Sequence, residues 1–443
     1  MKTCVSGLVV WPFLLHPSYF PYSSCCSKAT PPDPIPLMGH EPPPTYAEMR
    51  AALGTELADI AAAGSLRRRI AIDSRGGRSV VVHEHGKRHR LINWASNDYL
   101  GASAHLLVKN GAMRAMRRFG PGSGAARLLA GGLRCHRQLE ERIARWLGRE
   151  ECLLTTTGYQ ANCAALVALA CEVECVVLLD RLCHASLYDG TKLSNAQMLR
   201  FKHNDVDDLA RRLEQTVGAR RRIVCVESVY SMDGDEAPLA AIHALCRAHG
   251  ALLLVDEAHA LGVLGPHGRG LCAEVGIVPD LWIANCSKTL AAQGGLIAGD
   301  RDLIELIVNR GRAFIFSTAP VPAASGAAVG ALNLIRNRPE LQTQLADAAQ
   351  EIRRGLQAQG WDVPPGRTPI IPVLIGDEAP TLALSAALRD LGHWAPAIRP
   401  PTVPPGQCRL RITVTAGHTA ADRKRLLKAC ASLKTKHPGT PIS

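Results

Sequence analysis

Short apolar runs alternate with stretches of helical period along most of the chain. Residues 152–154, 176–179, 223–226, 252–255 and 281–284 are apolar runs of strand length. Before and between them, 136–147, 205–215 and 239–249 repeat apolar residues at the three-to-four spacing of a helix face. This alternation predicts βα units around a mainly parallel sheet, an α/β fold. Upstream, 46–65 reads as a helix, followed by Arg67-Arg68-Arg69 and a polar hairpin with strands 79–83 and 90–94. Downstream, Pro320 and Pro322 open a helical stretch towards Arg336, and strands at 371–375 and 409–414 belong to a smaller α/β region. The expected organisation is an unstructured extension (1–45), a helix and hairpin segment (46–95), a large domain (96–335) and a small C-terminal α/β domain (336–443). No internal repeat is present.

At 443 residues, with 47% apolar and 20% charged side chains, the chain suits an ordinary globular protein with a large core. Its net charge of +12 is scattered and comes with no nucleic-acid-binding signature, so an acidic small molecule is the expected partner and nucleic acid is not. The fifteen cysteines form no CxxC pair, and several, such as Cys163, Cys225 and Cys246, lie in apolar stretches, which suits a reducing cytoplasm. His83, Glu84, His85 and His89 read as a polar turn between strands, and no metal is expected. The apolar stretch 5–15 behind Lys2 resembles an export signal too short to span a bilayer, and a Pro-rich segment follows. Either it targets export, or the true start lies at Met38 or Met49. The second is favoured because everything after it reads as cytosolic, and no other segment suits a membrane span.

The chemistry gathers where strands end. Asp256 follows 252–255, Glu227 follows 223–226, Lys288 follows 281–284, Gly158-Tyr159 open a helix after 152–154, and His184 follows 176–179. The carboxyl ends of parallel strands converge on one crevice, so these exits predict one site. Pyridoxal 5'-phosphate gives each a role. Lys288 would join the cofactor covalently, and Asp256 would keep its ring nitrogen protonated. The free amides of Gly158 and Tyr159 would meet the phosphate. His184 would stack on the ring and His259 reach its oxygen. Singly each has a plainer reading: Asp256 as a helix cap, Gly158 as a tight turn, His184 and His259 as structural histidines. Together, in this order, they favour a catalytic lysine.

From about residue 57 onward the chain resembles the α-oxoamine synthases, fold-type-I pyridoxal-phosphate transferases. The motifs are SNDYLG (96–101), GPGSGAARLLAGG (120–132), DRLCHASLYDG (180–190), ESVYSMDGDEAPL (227–239), VDEAHALGVLGPHGRG (255–270) and SKTLAAQGG (287–295). The IRPPTVP core within 397–418 resembles the biotin-pathway members more than their aminolevulinate, aminoketobutyrate or sphingoid-base relatives. The resemblance implies a large domain with a mainly parallel seven-stranded sheet, a smaller C-terminal domain and a homodimer with its site at the interface. It implies L-alanine and a pimeloyl thioester as substrates. Arg411 matches the arginine that clamps the amino-acid carboxylate, Asn97 an asparagine beside it, and Arg67 an arginine implicated with the acyl substrate. Ser231 matches a cofactor-facing position, and Thr318 a residue reaching the partner subunit's phosphate. Two positions depart from the family. Asn285 stands where threonine usually contacts the phosphate, and Ala291 where glycine is common, a change expected to fit.

Overall fold

The five apolar runs all become strands of one seven-stranded sheet, four of them interior and 152–154 at one edge. Its strand order is Glu151–Thr155, Gly295–Gly299, Leu281–Asn285, Leu252–Asp256, Arg221–Glu227, Cys175–Asp180 and Gln197–Phe201. Six strands run parallel, and Gly295–Gly299 alone is antiparallel to both neighbours. The computed structural model describes residues 43–436 apart from 63, 65, 68, 76, 85, 172 and 173. The apolar 5–15 stretch, Met38 and His85 therefore lie outside the described residues.

The strands are apolar on both faces, as a covered parallel sheet requires. Leu153, Val177, Ile223, Leu254 and Ile283 point into one layer. Leu154, Val176, Val224, Val255 and Trp282 point into the other. Each such side chain, fully buried, contributes roughly 1.5–3 kcal/mol. Helices Gly158–Ala170 and Arg301–Arg310 cover the first face, and Arg134–Leu147, Leu239–Ala248 and Pro322–Asn337 supply core to the second. Helix Gly158–Ala170 buries ten of its residues. A helix apolar all round is enclosed on all sides, which fixes its first turn firmly against the sheet.

Two smaller sheets follow. One pairs Ala71–Arg75, Ser79–Glu84 and Lys87–Asn93, and closes on His393–Trp394. The other joins Ile370–Gly376, Cys408–Thr413 and Ala397–Ile398. The chain forms two compact units that divide after Arg69. The hairpin accordingly belongs with the larger unit, where His393–Trp394 adds a strand to it, and not with helix Tyr46–Ala62. His83, from the sequence cluster considered for metal, pairs with Asp73. Among the described residues no helix is long and apolar enough to cross a membrane.

Candidate active site

At the carboxyl edge of the sheet, Asp256 and Glu227 end adjacent strands in register with each other. Their carboxyls are buried side by side. Asp256 Oδ2 accepts from Asn162 Nδ2 at 2.9 Å and Oδ1 from the Ala258 amide at 2.9 Å. Glu227 has no partner for Oε1. Burial, and then the neighbouring Asp256, push the Glu227 pKa up to about 8. Glu227 therefore keeps its proton at neutral pH.

Lys288 sits in the loop joining Leu281–Asn285 to Gly295–Gly299. It is half-buried and lines a cavity of ≈230 Å³ with Asp256, Glu227, His184, His259 and Gly158. Desolvation lowers its pKa to about 8, against the pull of Asp256 and Glu227 and with help from Arg411. The loop is closed by Cys286 N–H to Gly294 O and Ala292 N–H to Cys286 O, both 2.9 Å. Ala291, the departure from glycine, has φ 49°. It fits, but in the left-handed region, which costs an L-residue roughly 1–2 kcal/mol. Because glycine also loses more chain entropy on folding, Ala291→Gly is expected to stabilise the protein by a net of about 0.5–1 kcal/mol. Denaturant midpoints measure this, and a lower midpoint for the glycine variant would contradict it.

The Gly158 and Tyr159 amides open helix Gly158–Ala170, where no preceding turn supplies acceptors. Thr157 caps the helix by accepting from Gln160 N–H at 3.2 Å. Asn285 packs against this start, since a Cβ at Gly158 would lie 3.0 Å from the Asn285 Cβ. Asn285 Oδ1 accepts from Ser287 Oγ at 3.0 Å, which leaves its amide donors for an anion at the helix start. The Tyr159 ring is exposed, with its hydroxyl on Asp189 at 2.5 Å. The Thr318 side chain is also exposed. Its carbonyl accepts from Thr156 Oγ1 at 2.8 Å, beside the same helix start.

His184 caps helix Ala185–Leu193, its Nδ1 accepting from the Ser186 amide at 3.2 Å and lying 2.7 Å from Ser186 Oγ. Desolvation lowers its pKa, so the ring is neutral and presents Nε2–H. His259 is buried with Nδ1 2.6 Å from the Tyr99 hydroxyl. Burial, followed by the Lys288 and Arg411 charges, holds its pKa well below the usual range.

Arg411 lies on strand Cys408–Thr413 and is buried. Its guanidinium meets only neutral acceptors: Asn97 Oδ1 at 3.2 and 3.3 Å, Thr413 Oγ1 at 2.8 Å and Ser231 O at 2.6 Å. Arg409, two residues back on the same strand face, pairs with Asp233. A buried cation without a counter-charge is costly, so the Arg411 guanidinium could take a carboxylate as a partner.

The structure thus brings Lys288, His184, Asp256, Gly158, His259 and Asn285 to one cavity, and Asn97, Ser231 and Arg411 into one hydrogen-bonded cluster. Arg67 is exposed in the N-terminal unit. Sequence reading left Asn162 and Tyr99 without roles and gave Glu227 none beyond its strand end. Tyr99 stands inside SNDYLG, whereas Asn162 looks like any polar residue in an apolar helix.

An amine of lowered pKa, a carboxylate fixed by Asn162, unpaired amides at a helix start and a neutral histidine suit an aldehyde-bearing, phosphorylated pyridine. The aminotransferase class I and II model matches residues 89–430, so the chain is a member of that enzyme class. The 8-amino-7-oxononanoate synthase of Anaeromyxobacter dehalogenans strain 2CP-1 is 47% identical over 77% of this chain and 86% of the relative. That of Geobacter sulfurreducens is 40% identical over 87% and 98%. Within its class the chain belongs to the 8-amino-7-oxononanoate synthase family. A serine palmitoyltransferase from S. paucimobilis, solved with pyridoxal phosphate and myriocin bound, superposes with TM-score 0.82 at 28% identity, covering 89% of this chain and 99% of that one.

Proposed function

We propose that the protein condenses L-alanine with a pimeloyl thioester, carried on coenzyme A or a carrier protein, to give 8-amino-7-oxononanoate, carbon dioxide and the free thiol in biotin biosynthesis. The observation that carries this reading is the buried Arg411 guanidinium, unmatched by any carboxylate among the described residues and held by Asn97 and Ser231. The cofactor, pyridoxal 5'-phosphate, supplies an electron sink for charge on the amino acid's α-carbon.

Lys288 Nζ would hold the cofactor and would take the amino acid's α-proton as general base. Asp256, beside protonated Glu227, would keep the ring nitrogen protonated. The Gly158 and Tyr159 amides, Asn285 and the helix dipole would hold the phosphate. His184 and His259, which line the cavity, would contact the ring, and Ser231 is assigned to face the cofactor. Arg411 and Asn97 fix the alanine carboxylate through a forked hydrogen bond. The carbon–carbon bond to the acyl group forms as the carbon–sulfur bond breaks, and loss of the carboxylate follows, with the proton returned to the α-carbon. Arg67 is assigned to the acyl thioester.

The active form is a homodimer in which Thr318 reaches the partner's phosphate. Leu128, Leu129 and Phe316 support this, being 52%, 60% and 56% exposed around the strand bridge that joins Ala126 to Thr318. The cytoplasm is the expected compartment. Eleven described cysteines are buried thiols, a pattern suited to reducing surroundings.

The test is an absorption titration of the holoenzyme with L-alanine, glycine and L-serine, coupled to thiol release from pimeloyl-CoA. Alanine is expected to shift the cofactor band and alone support thiol release. A protein that ignores alanine and answers serine or glycine would move the reading to a different acyl transfer within the family.

A further inference from the structure

We infer that His203 is a positioning residue for this site, clamping the turn that presents His184 to the loop that presents Ser231. Its ring lies between two carboxylates, with Nδ1 2.9 Å from Asp180 Oδ1 and Nε2 2.7 Å from Asp235 Oδ2. Ionised carboxylates only accept hydrogen bonds, so both ring nitrogens donate and the ring is an imidazolium. The Tyr230 ring meets it edge-on, with centroids 4.4 Å apart. Asn204 Nδ2 donates to the same Asp235 oxygen at 2.8 Å.

Each carboxylate belongs to a site element. Asp180 ends its strand four residues before His184, is fully buried, and accepts from the Leu182 and Asn204 amides at 2.8 Å. Asp235 closes the Tyr230–Asp235 loop, its carbonyl accepting from Tyr230 N–H at 3.0 Å. Arg409 grips the loop at Asp233, and Arg411 grips it at the Ser231 carbonyl. Three cations, two from the strand Cys408–Thr413 and His203 from a separate segment, therefore hold one short loop. Arg411 is the one of them left without a carboxylate, so displacing the loop would displace the group that receives the amino acid. His203 does not line the cavity; it acts through His184 and Ser231. Burial opposes its charge, but hydrogen bonds to Asp180 and Asp235 outweigh that and raise its pKa to about 10. The sign follows: a raised folded pKa gives a contribution fully present below the ordinary 6.5 and lost as pH rises through about 10. The clamp stays closed at neutral pH.

This inference rests on the functional reading above for its titrant, the amino acid. The experiment compares wild type, His203→Gln, Asp235→Asn and the double variant as holoenzymes. It reads the apparent Kd and KM for alanine, the KM for the thioester, kcat and the melting midpoint, and ¹⁵N NMR of the histidine rings. Each single variant is expected to raise the alanine Kd and KM about tenfold, with less effect on the thioester KM. The double variant should be no worse than the poorer single one, as two ends of one clamp require. Wild type should show one ring doubly protonated at pH 8. Variants that melt earlier yet bind alanine normally would overturn the inference, as would additive effects or no doubly protonated ring. A wild type that ignores alanine would defeat only the functional reading; the same comparison is then made with the amino acid it accepts.

Discussion

Lys288→Ala protein is expected to fold, to hold the cofactor only reversibly, and to lose turnover by at least about 10⁴-fold. The substitution removes a general base, worth roughly 10²–10⁴-fold alone, together with the covalent attachment. Gel filtration should strip the cofactor from the variant, and borohydride should no longer fix it to the chain, while both fail to release it from wild type. Turnover within tenfold of wild type would refute the assignment. The depressed amine pKa adds a pH test on the apoprotein. Burial lowers Lys288 to about 8, so the reactive neutral amine grows in as pH rises through 8, not 10.5. The rate of cofactor capture should rise through that range and then level.

Asp256→Asn is expected to reduce kcat by about 10²–10³-fold, the usual loss when one preorganised charge is removed from a developing transition state. The change is nearly isosteric and leaves an oxygen for Asn162, so the fold should persist. It also has a signature beyond rate. Asp256 is the first of the groups that raise the Lys288 pKa, so its neutralisation should move the capture profile below pH 8. The same change removes the charge that, after burial, holds Glu227 protonated, and so lowers the Glu227 pKa. Unchanged kcat with an unchanged capture profile would remove Asp256 from the reaction.

The sheet's centre was legible because both its faces are covered, which makes each strand an unbroken apolar run. Gln197–Phe201 was missed for the complementary reason. As an edge strand with only its last residue buried it carries arginine and glutamine, and its apolar content falls below that of a run. Gly295–Gly299, only five residues bounded by glycines, reads as loop. At the site, strand-end position was enough to find Lys288, Asp256 and His184, because topology alone converges strand ends. Asn162 and His203 act through partners distant in sequence, Asp256 and Asp235. Composition and period do not register such pairs. The family departures had different weights: Asn285 keeps usable donors, whereas the strain at Ala291 depends on a backbone angle that no side-chain pattern reveals.

The reversed strand gives the reactive lysine an unusual mounting. Asn285 and Gly295 are direct partners across the sheet, so the segment between them is a short closed ring whose two ends cannot separate without parting core strands. Its amides at Cys286 and Ala292 should therefore exchange with solvent only as slowly as the sheet itself opens. Cofactor capture then needs no ordering of this segment. It is docking to a finished mould, paced by amine deprotonation, and it should show no lag that depends on temperature-driven loop closure.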